Sequence, residues 1–216
     1  MVKKVGKVNP ARKSIIVVAG EGNNDREVLK HLIGALLPKP CPKIVPITRQ
    51  THLAKAEKFL QPRVDDLRRL ANAAAATQHA CLAGIVVHVD FDGAESAHYD
   101  KVRRRISAEL VRTFGPEAKA ALALAVSETE GWLMLFPKAF PKVRSGWNLP
   151  EEECRRDLGR IPNAKEHLKR LLKQPPYRES DAPSIMREAA QGGLITARPS
   201  GTNRSYTDFA GEISAW

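Results

Sequence analysis

The hydrophobic pattern of the chain alternates between short β-branched runs and longer segments with helical spacing. Residues 14–19 (SIIVVA) and 84–89 (GIVVHV) predict buried strands, the second of them central in the sheet. Residues 43–47 (KIVPI) predict a strand near the sheet edge, because Pro46 cannot donate a ladder hydrogen bond. Residues 120–126 (AALALAV) are ambiguous by periodicity alone, and their short length and internal alternation favour a fourth strand.

Segments with helical spacing separate and follow these runs. An apolar stripe in residues 24–37 predicts an amphipathic helix that is capped by Asn24 or Asp25. The chain is expected to finish in a tail that ends at Trp216. Further helices are predicted near residues 64–79, 94–114, 128–135, 165–173 and 184–191.

This alternation of strands and helices predicts an α/β fold with a mainly parallel central sheet and helices on both faces. Right-handed helical crossovers return each strand in the same direction, which makes the sheet parallel. We expect a basic flexible tail at residues 1–13 and the sheet domain at residues 14–136. Residues 137–216 are expected to form a helical and loop C-terminal extension packed on the same domain.

Composition narrows the class of protein. With 216 residues, 43% hydrophobic and 27% charged, the chain suits a globular domain and argues against wholesale disorder. Its apolar runs are far shorter than the roughly 20 residues that a membrane-spanning helix needs, and no signal peptide is recognisable. Cys41, Cys81 and Cys154 are widely separated, which favours reduced thiols. We therefore expect a cytoplasmic protein without a membrane partner.

The net charge of +11 adds an expectation about partners. An excess of Lys and Arg favours binding to a polyanion such as DNA or RNA, because each neutralised phosphate releases counterions. Basic residues cluster around residues 103–105, 155–173 and 198–204, and Lys169, Arg198 and Arg204 are the candidate nucleic-acid contacts. A basic protein without a polyanionic partner is the alternative interpretation.

Acidic side chains follow three of the predicted strands. Glu21 follows the first, Asp90 and Asp92 follow the third, and Glu128 and Glu130 follow the fourth. Because the carboxyl ends of parallel strands line one crevice, these acids are expected to meet at the same rim. Crowded carboxylates repel one another, and a hard divalent cation relieves that repulsion. The sequence therefore predicts a site for Mg²⁺ or Mn²⁺ at this rim.

The spacing within the second acidic group supports the same prediction. In an extended backbone, Asp90 and Asp92 would face the same way about 7 Å apart, which suits ligation of one ion or a pair. Gly93 allows a tight turn and the close approach of a phosphate. His88, inside the apolar strand, is interpreted as a core histidine.

The stretches IIVVAGEGNNDREVL and VVHVDFDGA resemble the Toprim domain of topoisomerases, primases and OLD-type nucleases. SETEGWLMLF resembles the second acidic motif of small bacterial OLD-like proteins found near defence genes. NAKEHLKRLL and YRESDAPSIM resemble their C-terminal segment. The resemblance covers about residues 14–136 with fair specificity and the remainder loosely.

This resemblance implies roles for particular residues. Glu21 takes the place of the Toprim glutamate, and Asp90 and Asp92 take the places of its paired aspartates. It also implies that Glu128 or Glu130 is an additional nuclease acid and that Lys165 stabilises the transition state. Toprim domains often carry a further acid or lysine near the paired aspartates. In this chain the candidates for that residue lie only on the predicted following helix, so the number of metal ions stays open.

From the resemblance and the acids together we expect a Toprim-like, metal-dependent nuclease that hydrolyses phosphodiester bonds in DNA or RNA, as an effector of antiphage defence. One alternative is a non-catalytic subunit or sensor that acts with a separate ATPase, since the chain carries no P-loop motif. A second is a phosphotransfer or nucleotidyl-transfer enzyme that uses the same acids. A homo-oligomer is compatible with each of them.

Overall fold

The computed structural model describes residues 13–48, 52–56, 58–115 and 117–216. Its strands are β1 (Ser14–Gly20), β2 (Lys43–Thr48), β3 (Cys81–Asp90) and β4 (Lys119–Ala125). They form one sheet in the order β2-β1-β3-β4, and every neighbouring pair is parallel. The predicted fold class, α/β with a parallel central sheet, is confirmed. So is the prediction that Pro46 lies in an edge strand.

Helices occupy the connections between strands and most of the C-terminal segment. The helices are α1 (Asn23–Leu36), α2 (Leu60–Thr77), α3 (Ala97–Phe114), α4 (Glu130–Leu133), α5 (Phe140–Val143), α6 (Glu151–Arg155), α7 (Ala164–Leu171), α8 (Ala182–Gln191) and α9 (Arg204–Ser214). Short 3₁₀ turns are formed by Pro137–Ala139, Leu158–Arg160 and Glu179–Asp181.

The sheet separates two hydrophobic cores, because successive strand residues point to opposite faces. Ile15 and Val17 of β1 belong to the core that α2 and α3 cover. Ile16 and Val18 belong to the other core, where α1, α8 and α9 pack. Helices therefore cover both faces, and residues 137–216 supply much of the second layer.

The expected C-terminal tail is wrong, because the chain ends in helix α9. Tyr206, Phe209 and Ile213 form an apolar stripe with spacing i, i+3 and i+7, and all are fully buried. The indole of Trp132 stacks on Phe209 with 5.4 Å between ring centroids, and its Nε1 donates to Ser205 Oγ at 2.9 Å. The final helix is thus part of the core.

Two further local predictions need correction. Helix α1 has Gly22 as its N-cap with no side-chain cap bond, so neither Asn24 nor Asp25 caps it. The helix expected at residues 128–135 is only the single turn α4. The expected basic tail of residues 1–13 lies, apart from Lys13, outside the described residues.

Two other expectations from the sequence concern membrane spans and cysteines. Within the described residues, no helix combines the length and the apolar character needed to cross a membrane. Cys41, Cys81 and Cys154 are free thiols.

Candidate metal centre

Three side chains converge where the central strand β3 ends. Asp90 is the last residue of β3, His88 precedes it by two residues on the strand, and Asp25 comes from the first turn of α1. One donor atom from each of these three residues lies within 4.8 Å of the other two. His88 Nε2 is 3.4 Å from Asp90 Oδ1. The arrangement offers two carboxylates and one imidazole to a single position.

Glycine makes room for Asp25 at this position. A Cβ atom on Gly22 would lie 2.5 Å from Asp25 Oδ2, so a side chain there would displace the carboxylate. At Gly20, a Cβ would approach the side chains of Arg26 and His88 at 3.1 and 3.3 Å. Arg26 is buried and its Nη1 donates to the Gly20 carbonyl at 3.0 Å. The segment between β1 and α1 is therefore closely packed against the end of β3.

A hydroxyl from the segment after β4 orients Asp25. Thr129 Oγ1 donates to Asp25 Oδ1 at 2.8 Å, and Thr129 is only 2% exposed. Thr129 follows β4 and precedes α4, so this bond connects the segment after β4 with the first turn of α1.

The electrostatic environment of Asp90 is unusual for a carboxyl group. Burial raises the pKa of Asp90 from 3.8 to about 6. His88 lowers this pKa, while the negative charges of Asp25, Glu21 and Asp92 raise it. The predicted rim acids Glu21, Asp90 and Asp92 therefore do come close enough to interact. A bound cation would relieve this repulsion.

Glu21 and Asp92 lie around this group, and each has a basic side chain as a neighbour. Glu21 Oε2 is 3.5 Å from His52 Nδ1, and Asp92 Oδ2 is 3.1 Å from Lys55 Nζ. Asp92 adopts a left-handed backbone with φ of 53° and lies beyond the end of β3, so the extended spacing expected between Asp90 and Asp92 is wrong.

Glu128 is engaged by helix α7. Its Oε2 accepts a hydrogen bond of 2.7 Å from the backbone N–H of Lys165, in the first turn of that helix. Its Oε1 is 3.3 Å from Lys165 Nζ, which also lies 3.1 Å from Glu179. Partial burial lowers the pKa of Lys165, but pairing with Glu179 and Glu128 raises it overall. Glu128 thus caps α7, and Lys165 is an ion-pair partner of two carboxylates.

Glu130 points into the protein. It is 7% exposed, and Tyr177 Oη donates to Glu130 Oε1 at 3.1 Å. The pKa of Glu130 is raised to about 7, mainly by burial and also by the charges of Glu128 and Asp25, while the bond from Tyr177 opposes the rise. Glu128 and Glu130 therefore face different partners, and neither belongs to the close donor group of Asp25, His88 and Asp90 that the described residues contain.

An open cleft of about 430 Å³ lies beside the centre. Asp92 and Glu128 line it on the side of the strand ends, and Arg160 and Asn163 line it from the C-terminal segment. The cleft offers space for a phosphorylated ligand next to the acidic rim.

The predicted nucleic-acid contacts differ in their surroundings. Arg198 is exposed, and Lys169 pairs with Glu166 at 2.7 Å on the surface of α7. Arg204 is held within the protein surface: its guanidinium contacts Asp100 and lies 5.5 Å from the ring centroid of Tyr99.

Sequence reasoning missed Asp25 and His88. The sequence presents Asp25 only as one of two candidate helix caps, with Asn24, although a helix that starts at a parallel strand's carboxyl end points its first turn towards the rim. His88 is two residues before Asp90, so both side chains lie on the same face of β3. That spacing was the available signal for His88.

Comparison of the chain with family models, with curated proteins and with solved structures found no significant match.

Proposed function

We propose that the protein is a divalent-metal-dependent nuclease whose ion is held by Asp25 and Asp90, with His88 as a third donor. The observation that carries this proposal is the convergence of these three donors within 4.8 Å at the carboxyl end of a central parallel strand. This is the edge at which open α/β sheets bind their ligands.

The donor set fits a small divalent cation. Carboxylate oxygens suit Mg²⁺ and Mn²⁺. Burial is the main cause of the raised pKa of Asp90, and the charges of Asp25, Glu21 and Asp92, which a cation would balance, add to it. The imidazole of His88 adds a nitrogen donor, which favours Mn²⁺ as the first ion to test. A Mg²⁺ ion held by the two carboxylates and water is the second.

The chain's own residues then have distinct roles. Asp25 and Asp90 bind the ion, and Thr129 holds Asp25 in position. A divalent ion held by these residues would supply Lewis-acid chemistry, namely polarisation of the scissile phosphate and a lower pKa for the attacking water. We assign Glu21, whose negative charge acts on Asp90, as the acceptor of a proton from that water. Lys55, paired with the exposed Asp92, supplies positive charge at the same rim.

The charge of the chain supports nucleic acid as the substrate class. A net charge of +11 favours a polyanionic partner, while the acids at the rim provide the local negative charge that holds a metal. The proposed role in antiphage defence rests on the resemblance to OLD-like proteins.

Paired measurements of metal binding and cleavage test the proposal. Wild-type protein should bind Mn²⁺ in calorimetry and cut labelled DNA or RNA only when Mg²⁺ or Mn²⁺ is present. Asp25→Asn and Asp90→Asn should abolish both, because each replaces a charged ligand by a neutral amide of the same shape. Glu117→Gln removes a carboxylate that pairs with Arg68 away from the centre, and it should retain both activities.

The outcomes separate the competing functions. Undiminished cleavage by Asp90→Asn would refute the nuclease assignment. Mn²⁺ binding without cleavage of any nucleic acid would favour the non-catalytic subunit, and activity appearing only with a co-purified ATPase would strengthen that alternative. Metal-dependent turnover of a small nucleotide would favour the phosphotransfer enzyme.

A further inference from the structure

Two clefts meet at Arg160 next to the candidate metal centre. The cleft of about 430 Å³ contains Asp92 and Glu128 in its wall, and a second cleft of about 640 Å³ contains Glu95. Ala94 and Arg160 line both. The two spaces are therefore adjacent along the connection between β3 and α3, with one arginine at their junction.

The backbone that carries Arg160 is firmly held. Arg160 ends the 3₁₀ turn Leu158–Arg160, in which Asp157 Oδ1 accepts a bond of 3.2 Å from the N–H of Gly159. The N–H of Leu158 donates to the carbonyl of Thr202 at 2.8 Å, which ties the turn to the segment before α9. A fixed backbone keeps the Cα of Arg160 at the junction, so binding costs little further backbone entropy.

The guanidinium itself remains accessible. The side chain of Arg160 is 81% exposed, and its Nε lies 3.1 Å from Asp157 Oδ2. That contact uses one edge of the planar group, and the remaining N–H donors match the bidentate geometry of a phosphate.

Three other cations near the clefts pair with carboxylates of the cleft walls themselves, whereas Asp157, the partner of Arg160, lines neither cleft. Lys55 pairs with Asp92, Lys165 lies between Glu128 and Glu179, and the guanidinium of Arg204 contacts Asp100. Asp92 and Glu128 in the cleft wall would repel an incoming phosphate. A phosphodiester that reaches the metal centre through this cleft therefore needs a cation in the cleft wall to offset these acids, and Arg160 lines the same cleft.

We propose that Arg160 binds a backbone phosphate of the nucleic-acid strand next to the phosphate that is cleaved, and thereby positions the strand at the metal centre. This inference rests on the proposed nuclease function. Arg160 acts on substrate binding, so its loss should raise KM with little change in kcat.

A matched pair of variants tests this role. Arg160→Ala removes the proposed phosphate contact. Arg69→Ala removes an arginine of similar exposure, 78%, that also pairs with an aspartate three residues earlier, but on α2 at the opposite face. Binding of a fluorescein-labelled oligonucleotide is measured by anisotropy in the Asp90→Asn background, which prevents cleavage, and thermal melts confirm that each variant is folded.

Arg160→Ala should raise the Kd roughly tenfold, and it should reduce the slope of log K against log salt by about 0.7 to 0.9, the loss of one phosphate contact. Arg160→Lys should recover part of the affinity, and Arg69→Ala should leave it unchanged. In otherwise wild-type protein, Arg160→Ala should raise KM by a similar factor.

The results distinguish this inference from the nuclease proposal. Wild-type cleavage with an unchanged Kd and KM in Arg160→Ala would overturn the role of Arg160 and leave the nuclease standing. Equal losses in Arg160→Ala and Arg69→Ala would also overturn it, because they would reflect net charge alone. A wild-type protein that neither binds nor cleaves nucleic acid would overturn both.

Discussion

The hydroxyl of Thr129 donates a 2.8 Å hydrogen bond to the carboxylate of Asp25, 104 residues away in the sequence. Thr129 follows β4 and Asp25 follows β1, and β3 lies between those two strands in the sheet. The bond therefore passes over the end of β3, where Asp90 is located. It joins the segment after β1 to the segment after β4, on either side of the candidate metal centre. The bond can form this way because β1 and β4 both neighbour β3 in the sheet.

Replacement of Thr129 by valine should weaken the metal centre without unfolding the protein. Valine keeps the shape of threonine but removes the donor that orients Asp25. Loss of such a supporting hydrogen bond typically reduces metal affinity by about 10- to 100-fold. Calorimetric titration with Mn²⁺ measures this change, and Thr129→Ser, which keeps the hydroxyl, should retain most of the affinity. An unchanged Kd in Thr129→Val would show that Asp25 does not need this bond to bind the ion.

Asp90 should make the metal-free protein less stable as the pH rises. Its pKa is raised from 3.8 to about 6 in the folded state, so between these values the folded protein holds more protons than the unfolded chain. The free energy of unfolding therefore falls as pH increases through this window and stays lower above it. The full shift corresponds to about 3 kcal/mol.

Asp90→Asn should remove this penalty. In EDTA at pH 8, the variant should be more stable than wild type by about 2–3 kcal/mol in urea unfolding, and the difference should vanish near pH 3.5. Mn²⁺ should then stabilise wild type but not the variant. Asp66→Asn, on the surface of α2, is the control and should show no such pH-dependent gain. A variant that is less stable than wild type at pH 8 would contradict the electrostatic explanation.

The fold and the centre differ in how far the sequence predicts them. The strands and their order of appearance follow from local periodicity, and the edge position of β2 follows from Pro46, which cannot donate to a neighbouring strand. Asp90 could be placed at the rim because it directly follows an apolar run. Each of these inferences uses only residues that are neighbours in the chain, and the spacing of apolar residues is enough to make them.

The partners of each acid depend on packing between distant segments. Asp25 has the local signature of a helix cap, and only the space left by Gly22 together with the donor from Thr129 turns it towards Asp90. Glu128 and Glu130 are two residues apart, yet one caps α7 and the other is buried against Tyr177. Such contacts depend on how the C-terminal segment packs against the sheet domain, and periodicity predicts helices in that segment but not their packing partners.

The buried pair of Glu130 and Tyr177 should make the stability of Tyr177→Phe depend on pH. Burial raises the pKa of Glu130 to about 7, and the hydroxyl of Tyr177 opposes this by stabilising the ionised form. Without the hydroxyl, the pKa should rise further. The variant should lose about 1–3 kcal/mol at pH 8.5, where Glu130 must ionise, and less at pH 5.5, where it is protonated in both proteins.

Tyr206→Phe provides the control for this pair. Tyr206 is also fully buried, but its hydroxyl donates to the neutral carbonyl of Thr196 at 2.6 Å. Tyr206→Phe should lose a similar amount of stability at both pH values, since no charged group is left without its hydrogen-bond donor. Urea unfolding of both variants at the two pH values makes the comparison. A pH-independent loss in Tyr177→Phe would show that Glu130 does not ionise in the folded protein.

Phe209→Ala should show that the final helix belongs to the cooperative core. Phe209 is fully buried in α9 and stacks on Trp132. Trp132 lies two residues after Glu130. Truncation of a buried phenylalanine typically costs about 3–5 kcal/mol, because it removes apolar contacts and leaves a cavity. Phe59→Ala, at a side chain that is 64% exposed, should change the free energy of unfolding by less than about 0.5 kcal/mol. If the two variants unfolded at the same urea concentration, α9 would be a loosely attached tail and the packing that positions Thr129 would have to come from elsewhere.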